Sequence, residues 1–155
     1  MQHNNQASEH TSKARVQDWH TWQSLAFTTS HIFATIDQQL RKECHISLSD
    51  FDVLATLRRH DHNQATMACL TATVVVTLSG LSRSVSRLEQ AGLVNKEPSE
   101  QDKRSMLITL TNQGQEVLKQ AIKIHNCVIN REVMAKLSLE QRDQLADIVS
   151  SITQE

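Results

Sequence analysis

The sequence predicts a mainly α-helical chain with a small β-hairpin wing, in which a helix-turn-helix and the hairpin are inserted between long helices. Three observations support this fold class. Apolar residues recur at spacings of three and four over most of the chain, which is the period of amphipathic helices. Three Gly and one Pro are too few for most all-β or linker-rich chains. The period changes to strict alternation at SMLITL, where a short strand is expected.

Length and composition exclude several classes of protein. A chain of 155 residues can bury a core without a disulfide or a metal. No apolar stretch approaches the roughly 18–20 residues of a membrane span, and the polar N-terminus lacks the apolar segment of a signal peptide. Three cysteines without a CxxC pair are typical of a reduced, cytoplasmic protein. The net charge of −1 gives no basic field over the whole chain, so binding of nucleic acid would depend on local geometry.

The two ends of the chain are predicted to differ from its centre. Residues 1–17 are polar and lack periodicity, so a disordered tail is expected there. Residues 18–46 form one long helix, and residues 112–155 form two further helices. These helices are too long and too apolar to be covered by a small central module. A second copy of the chain is the simplest partner for them, so a homodimer is predicted.

Hydroxyl side chains mark the predicted helix starts. Ser47, with Asp50 three residues later, forms a capping-box pattern. Thr66 is placed to cap the short helix MACLTAT, which follows the polar connector HDHNQA. Thr111 and Ser138 are placed to cap the two C-terminal helices.

The centre of the chain, residues 47–111, is predicted to be a winged helix-turn-helix. Its second helix begins after Thr77 and ends before Gly92, a residue that suits the positive φ of a helix C-terminus. Two short strands around LVNKE and SMLITL follow and form a hairpin. This order of elements is that of a winged-helix DNA-binding module.

The helix that follows Thr77 has an apolar side and a polar side. Its apolar side consists of Leu78, Leu81, Val85 and Leu88, at spacings of three, four and three. On the polar side, small hydroxyls can donate to phosphates, and an arginine can contact a phosphate or fork onto guanine. The residues of this helix predicted to contact DNA are Thr77, Ser79, Ser82, Arg83, Ser86 and Arg87. A structural ion pair is an equally good interpretation of Arg87.

The stretch from Thr77 to Gly114, TLSGLSRSVSRLEQAGLVNKEPSEQDKRSMLITLTNQG, closely resembles the MarR family of bacterial transcriptional regulators. The match covers the recognition helix, its RLEQAGLV exit, the D-K-R wing and the LTNQG start of the next helix. Residues 20–150 fit the family's layout more loosely. The resemblance implies a homodimer that binds a pseudo-palindromic DNA operator, acting as a repressor that a small effector releases. Val75 departs from the family's pattern, because glycine or another small residue is expected at this turn.

The resemblance also assigns roles to the wing. It implies that Asp102 and Arg104 form the family's Asp-x-Arg motif, with Arg104 in the minor groove and Asp102 bracing an arginine. Lys96 and Lys103 are predicted phosphate contacts.

The resemblance further implies an effector pocket. In MarR-like proteins, small aromatic acids or phenols often bind between the dimer helices and the DNA-binding lobe. The candidate residues for such a pocket are Trp19, Trp22, His31, Phe51 and Arg58. The residue pattern by itself favours the alternative that the rings belong to the dimer interface and the core.

Other classes of function fit less well. The histidines lack the two-pair spacing of a zinc site, so neither a metal nor a cofactor is predicted. Among the cysteines, only Cys44 has basic neighbours that would stabilise a thiolate, namely Arg41, Lys42 and His45. A structural or incidental role is favoured for all three cysteines. A redox-sensing or metal-sensing regulator of the same fold is an alternative, as is a winged-helix protein-interaction module without DNA binding. There is no GxSxG, HExxH or Gly-rich phosphate loop, so no catalytic residue and no enzyme activity are predicted.

Overall fold

The computed structural model describes the backbone of residues 3–73, 78–99 and 105–153, and the side chains from residue 16 onward within those ranges except at 78 and 79. In chain order, the elements are α1 (His3–Cys44), α2 (Leu48–Arg59), β1 (Gln64–Thr66), α3 (Met67–Thr73), α4 (Leu78–Gln90), β2 (Val94–Pro98), β3 (Met106–Leu110), α5 (Asn112–Glu132) and α6 (Leu139–Thr153). This architecture confirms the predicted fold class. The chain divides into two compact units, residues 1–35 and residues 36–155.

The sheet, over the described ranges, has three antiparallel strands in the order β1-β3-β2, one more than predicted. β2 and β3 form the expected hairpin, with Val94 opposite Leu110. β1 lies in the segment predicted as a polar connector, and it pairs with the other edge of β3, with Ala65 opposite Ile108. A strand of three residues is too short to produce a visible alternation, so its sequence does not reveal it.

Helix α1 begins at His3, which corrects the expectation of a disordered tail over residues 1–17. This segment contains no Gly or Pro and several good helix formers, including Gln, Ala, Lys and Arg. Extension of an existing helix is also easier than nucleation, so the segment continues the helix that follows it. α1 ends at Cys44, and His45 adopts the left-handed conformation with a φ of 59°.

The N-terminus of α2 has the predicted capping box. The Ser47 hydroxyl accepts a hydrogen bond from the Asp50 N–H at 3.1 Å, and the Asp50 carboxylate accepts one from the Ser47 N–H at 2.9 Å. Both residues are buried. The apolar side of α2 carries Val53, Leu54 and Leu57, which are fully buried and form the centre of the core in the second unit.

The C-terminus of α4 has the Schellman geometry that Gly92 predicts. Gly92 has a φ of 71°, and its N–H donates to the Glu89 carbonyl at 2.9 Å. The Leu93 N–H donates to the Leu88 carbonyl at 2.9 Å. Leu88 and Leu93 are both buried, so the hydrophobic contact that accompanies this motif is available.

Thr111 and Ser138 cap α5 and α6, as predicted. The Thr111 hydroxyl accepts from the Gly114 N–H at 3.0 Å, and the Ser138 hydroxyl accepts from the Gln141 N–H at 3.2 Å. α5 ends at Glu132, after which the chain tightens into a 3₁₀ turn over Met134–Lys136.

Large apolar side chains that are more than half exposed lie on two of the described helices. In the first unit they are Val16, Trp19, Trp22, Leu25, Phe27 and Phe33, and on α6 they are Leu139, Ile148, Val149 and Ile152. Each is more than half exposed. A soluble monomer rarely exposes so many large apolar side chains together. Over the part of the chain that the structure describes, no helix has both the length and the apolar character needed to cross a bilayer.

Candidate nucleic-acid interface

Helix α4 has one buried and one exposed side. Leu81, Ser84, Val85 and Leu88 are buried, where α4 packs on α2 and β2. Ser82, Arg83, Ser86 and Arg87 are exposed. Residues four apart lie one above the other on a helix, so these four side chains form one continuous polar surface, here called the α4 surface. The predicted two-sided character of this helix is therefore present over the side chains that the structure describes.

One arginine of the α4 surface is fixed by a buried carboxylate of α2. The Arg87 Nη2 atom lies 2.8 Å from the Asp50 Oδ1 atom and 3.0 Å from the Ser84 hydroxyl. The Asp50 side chain is 6% exposed, and the Arg87 side chain is 53% exposed. The sequence allowed Arg87 to be either a DNA contact or part of a structural ion pair, and the structure shows the ion pair. The outer part of the guanidinium still faces solvent. The pair connects α2 to α4 and restricts the orientation of the recognition helix.

A second carboxylate, that of Asp37 near the end of α1, also holds the N-terminus of α2. Its Oδ1 atom accepts from the Leu48 N–H at 2.8 Å, and its Oδ2 atom accepts from the Arg41 Nε at 2.6 Å. Helix N-termini favour negative charge because their first N–H groups have no partners within the helix. The carboxylates of Asp37 and Asp50 therefore join α1, α2 and α4 through the first turn of α2.

Hydrogen bonds shift the titration of both carboxylates. Burial on its own raises the pKa of Asp50, but the hydrogen bonds from Ser47, Arg87 and Ser84 outweigh burial and lower the pKa below its ordinary value of 3.8. Burial also raises the pKa of Asp37, and the bonds from Arg41 and Leu48 outweigh it, so this pKa is lowered as well. Folding therefore favours the charged form of each group.

This direction predicts a loss of stability in acid. Because the folded pKa of Asp50 lies below 3.8, its ion pair stabilises the protein fully above that value, and the stabilisation is lost as the pH falls through the folded pKa. Urea denaturation of the wild type and of Asp50→Asn between pH 7 and pH 3 should show a wild-type advantage at pH 7 that shrinks below about pH 4. An advantage that stays constant over this range would contradict the assignment.

The hairpin of β2 and β3 directly follows α4 in the chain. Residues 100–104, between the two strands, lie outside the described residues. The Ser99 N–H donates to the Ser105 carbonyl at 2.8 Å, which closes the hairpin around residues 100–104. Lys96 is half-buried on β2, opposite Ile108. The remaining predicted contacts, namely Thr77, the side chain of Ser79, Asp102, Lys103 and Arg104, lie outside the described residues, as does Val75 of the turn.

The predicted effector residues are distributed over both units. In the first unit, Trp19, Trp22 and His31 are exposed. In the second, the Phe51 ring stacks on His125 of α5, with the ring centroids 5.1 Å apart, so one face of the ring is already covered. Arg58 is exposed and donates to the Gln115 side chain at 3.5 Å.

Arg58 also lines a cleft between α2 and α5 with a volume of about 510 Å³. The other lining residues come from α5 and are Gln115, Glu116, Leu118, Lys119, Ile122 and Lys123. The lining thus contains three cations, one carboxylate, one amide and two apolar side chains. Lys119 and Lys123 are not among the predicted effector residues, although their spacing of four residues on a predicted helix places them on one face.

The surroundings of Cys44 disfavour a reactive thiolate. Burial raises the pKa of its thiol, and the neighbouring Glu43 carboxylate raises it further, so the thiolate is disfavoured. Two of its three basic neighbours have partners of their own, since Arg41 pairs with Asp37 and Lys42 pairs with Glu43 at 3.4 Å. Within the described ranges, no group of three or more histidine, cysteine or carboxylate side chains is arranged to hold a metal ion.

A helix-turn-helix with a hairpin wing, flanked by long helices, defines a winged-helix regulator. A model of the MarR family matches residues 46–105. The chain is 31% identical over 130 residues to the HTH-type transcriptional regulator PecS of Dickeya dadantii, a match that covers 81% of this chain and 77% of PecS. The chain belongs to the MarR family of transcriptional regulators.

Solved structures agree with this assignment. A MarR family transcriptional regulator from Streptomyces coelicolor, solved in complex with DNA, is 26% identical, with a TM-score of 0.80 over 88% of this chain and 86% of its own. BpsR of Bordetella bronchiseptica, whose DNA binding is regulated by 6-hydroxynicotinic acid, is 16% identical, with a TM-score of 0.74 over 86% of this chain and 92% of its own. At that identity, the likeness to BpsR shows the fold alone.

Proposed function

We propose that this protein regulates transcription by binding a specific DNA operator through the α4 surface. The observation that carries the proposal is the arrangement of α4, where Ser82, Arg83 and Ser86 face solvent while Leu81 and Val85 anchor the opposite side. A helix held in this way can enter a major groove with its hydroxyls against phosphates and Arg83 against a phosphate or a guanine. The similarity to a regulator solved in complex with DNA supports the proposal.

The proposed interface extends beyond the exposed side chains of α4. Arg87 contributes the outer part of its guanidinium, and Lys96 on β2 contacts a phosphate. The family resemblance adds the start of α4 and the tip of the wing, namely Thr77, Ser79, Asp102, Lys103 and Arg104. In this arrangement, α4 reads the major groove and Arg104 enters the adjacent minor groove.

The operator-binding form is proposed to be a homodimer. The exposed apolar side chains of α1 and α6 support this state, because a second copy would cover them. Residues 18–46 and 112–155 would form the dimer interface, and residues 47–111 would form each DNA-binding lobe. A two-fold dimer presents its two recognition helices to half-sites about one helical turn apart, so the operator is expected to be pseudo-palindromic.

We propose that this protein is a repressor and that a small anionic effector releases it from the operator. The cleft between α2 and α5 supports this part of the proposal, since Arg58, Lys119 and Lys123 provide positive charge beside the apolar Leu118 and Ile122. An aromatic acid has a charge and an apolar ring that suit such a lining. Its binding would favour a spacing of the two lobes that no longer matches the operator.

The experiment begins with the selection of bound duplexes from a random library by the full-length protein. Fluorescence anisotropy then compares the selected duplex with a scrambled one across a salt series. We expect the selected duplex to bind at least about 1,000-fold more tightly at physiological salt, with two chains per duplex and an affinity that falls steeply as salt rises. Equal binding to both duplexes would contradict the proposal. Addition of aromatic acids to the complex tests the effector.

Replacing Arg83 by alanine is expected to weaken binding to the selected duplex by about 10- to 100-fold, because the variant loses a base or phosphate contact. Arg59→Ala is the matched control, since it removes an exposed arginine at the end of α2, outside both the α4 surface and the proposed dimer interface, whose Nη2 atom donates to the Thr56 hydroxyl at 3.0 Å. The control should bind DNA like the wild type, and circular dichroism should show both variants folded at the temperature of the binding measurement. If the two variants bind equally well, Arg83 is not a DNA contact.

A further inference from the structure

The positive charges that line the cleft between α2 and α5 outnumber the negative ones. The lining contains the cations of Arg58, Lys119 and Lys123 and the single carboxylate of Glu116. This carboxylate lies 4.0 Å from the Lys119 ammonium, and both side chains are largely exposed, so the pair is weak. Within the described ranges, neither Arg58 nor Lys123 forms an ion pair with a carboxylate. A ligand with one negative charge would therefore leave the cleft positive.

The two cations without a carboxylate lie at opposite ends of the cleft. Arg58 lies at the N-terminal end of α5, where its Nη1 atom donates to the Gln115 Oε1 atom at 3.5 Å. Lys123 follows Gln115 by just over two turns of α5, a rise of about 12 Å along the helix axis. Just beyond Lys123 on α5, the stack of Phe51 on His125 joins the two helices again. The positive charge is thus divided between two separate positions.

The side chains between these two positions are apolar. Leu118 and Ile122 line the cleft on the stretch of α5 between Gln115 and Lys123. Leu118 is buried, whereas Ile122 is 39% exposed. Removal of apolar surface from water is favourable, so an apolar group placed over Ile122 would stabilise a complex. The cleft therefore has a cation at each end and an apolar surface between them.

We propose that the effector of this protein is an aromatic dicarboxylate whose two acidic groups lie on opposite sides of the ring. One carboxylate accepts hydrogen bonds from the Arg58 guanidinium and the Gln115 amide nitrogen, and the other accepts from the Lys123 ammonium. The ring between them contacts Leu118 and Ile122. The inference rests on the proposed function, because it takes the cleft as the effector site, and it adds a second acidic group to the ligand.

The separation of the two cations distinguishes this ligand from other anions. Arginine and lysine have long, flexible side chains, so their charged groups can approach one ring from helix positions about 12 Å apart. A monocarboxylate reaches one end of the cleft and leaves the other cation in water. A phosphate monoester has two charges on a single group, and adjacent carboxylates on a ring are similarly close together. Carboxylates on opposite sides of the ring place one charge at each end.

The test is isothermal titration calorimetry of the full-length protein without DNA, with benzoate, phthalate, terephthalate and phenyl phosphate as probes. Phthalate and terephthalate have the same composition and charge and differ in the separation of their carboxylates. Terephthalate is expected to bind at least about fivefold more tightly than each of the other three, because it alone gains the second charged contact. A smaller difference from any of them, or no binding of terephthalate, would overturn the proposal.

A substitution at Lys123 tests which residue holds the second carboxylate. Lys123→Gln is expected to weaken terephthalate binding by at least about fivefold, with the fold retained by circular dichroism. Arg59→Gln is the matched control, because it removes an exposed cation next to Arg58 that does not line the cleft. The control should bind terephthalate like the wild type. An unchanged affinity in Lys123→Gln, or an equal loss in Arg59→Gln, would overturn the proposal.

The consequence for DNA binding has its own measurement. Terephthalate is expected to release the selected duplex at a concentration at least about fivefold lower than phthalate does, since the ligand with the higher affinity shifts the equilibrium further. Release at equal concentrations of the two isomers, or no release by terephthalate, would mean that the dicarboxylate is not the effector. If the protein without ligand selects no duplex, the proposed function fails, and calorimetry still decides whether the cleft binds two separated carboxylates.

Discussion

Replacing Asp50 by alanine is expected to lower the free energy of unfolding by about 2–4 kcal/mol. The buried carboxylate accepts hydrogen bonds from the Ser47 N–H and from Arg87, and alanine leaves both donors without it. The Arg87 side chain is half exposed, so water can solvate the released charge, which keeps the loss below that of a fully buried pair. Urea denaturation followed by circular dichroism at pH 7 measures the change.

Asp143→Ala is the control, because it removes an exposed carboxylate from α6 and should change stability by less than about 0.5 kcal/mol. Asp50→Asn retains the shape and an acceptor oxygen without the charge, so it should lie between alanine and the wild type. We also expect Asp50→Ala to weaken DNA binding at a temperature where it is fully folded, because α4 loses its polar connection to α2. Wild-type stability in Asp50→Ala would mean that the ion pair contributes nothing.

Replacing Gly114 by alanine is expected to lower the free energy of unfolding by about 3 kcal/mol or more. A Cβ atom at this position would overlap the Leu93 carbonyl oxygen and would come within 2.8 Å of the Leu110 Cδ1 atom. The Leu93 carbonyl also accepts the Thr111 N–H at 3.1 Å, so it cannot move without breaking a hydrogen bond. The substitution thus forces apart the start of α5 and the start of the hairpin. Thermal melting and urea denaturation both report the loss.

Gly92→Ala is the matched control for this prediction. At Gly92 an alanine would lose stability because the backbone φ is 71°, a conformation that favours glycine. The added Cβ would lie 3.5 Å from the Gln113 Oε1 atom, which is an ordinary van der Waals contact. A loss of about 1 kcal/mol is expected from the left-handed conformation alone. A loss at Gly114 no larger than the loss at Gly92 would contradict the predicted backbone collision.

Features that depend on neighbouring residues could be predicted from the sequence. The capping box of Ser47 and Asp50, the Schellman end at Gly92 and the buried side of α4 each follow from a pattern only a few residues long. The same holds for the caps at Thr111 and Ser138. These signals together placed the helices of the winged module and identified the exposed residues of α4.

Features that depend on tertiary contacts could not be predicted in this way. Asp50 and Arg87 are 37 residues apart, and periodicity carries no information about which distant charges meet. β1 is defined by its pairing with β3, since three residues have no readable pattern. The sequence shows the cations near Cys44 but not that the carboxylates of Asp37 and Glu43 pair with two of them.

Methylation protection of the selected operator tests most directly whether α4 reads the major groove. Dimethyl sulfate modifies guanine N7 in the major groove and adenine N3 in the minor groove, so one experiment reports on both. We expect the protein to protect guanines in two half-sites about one helical turn apart, with this protection reduced in Arg83→Ala at concentrations that saturate the DNA. Protection confined to adenine N3, or a single protected segment without two-fold symmetry, would contradict the binding of operator DNA by a dimer through α4.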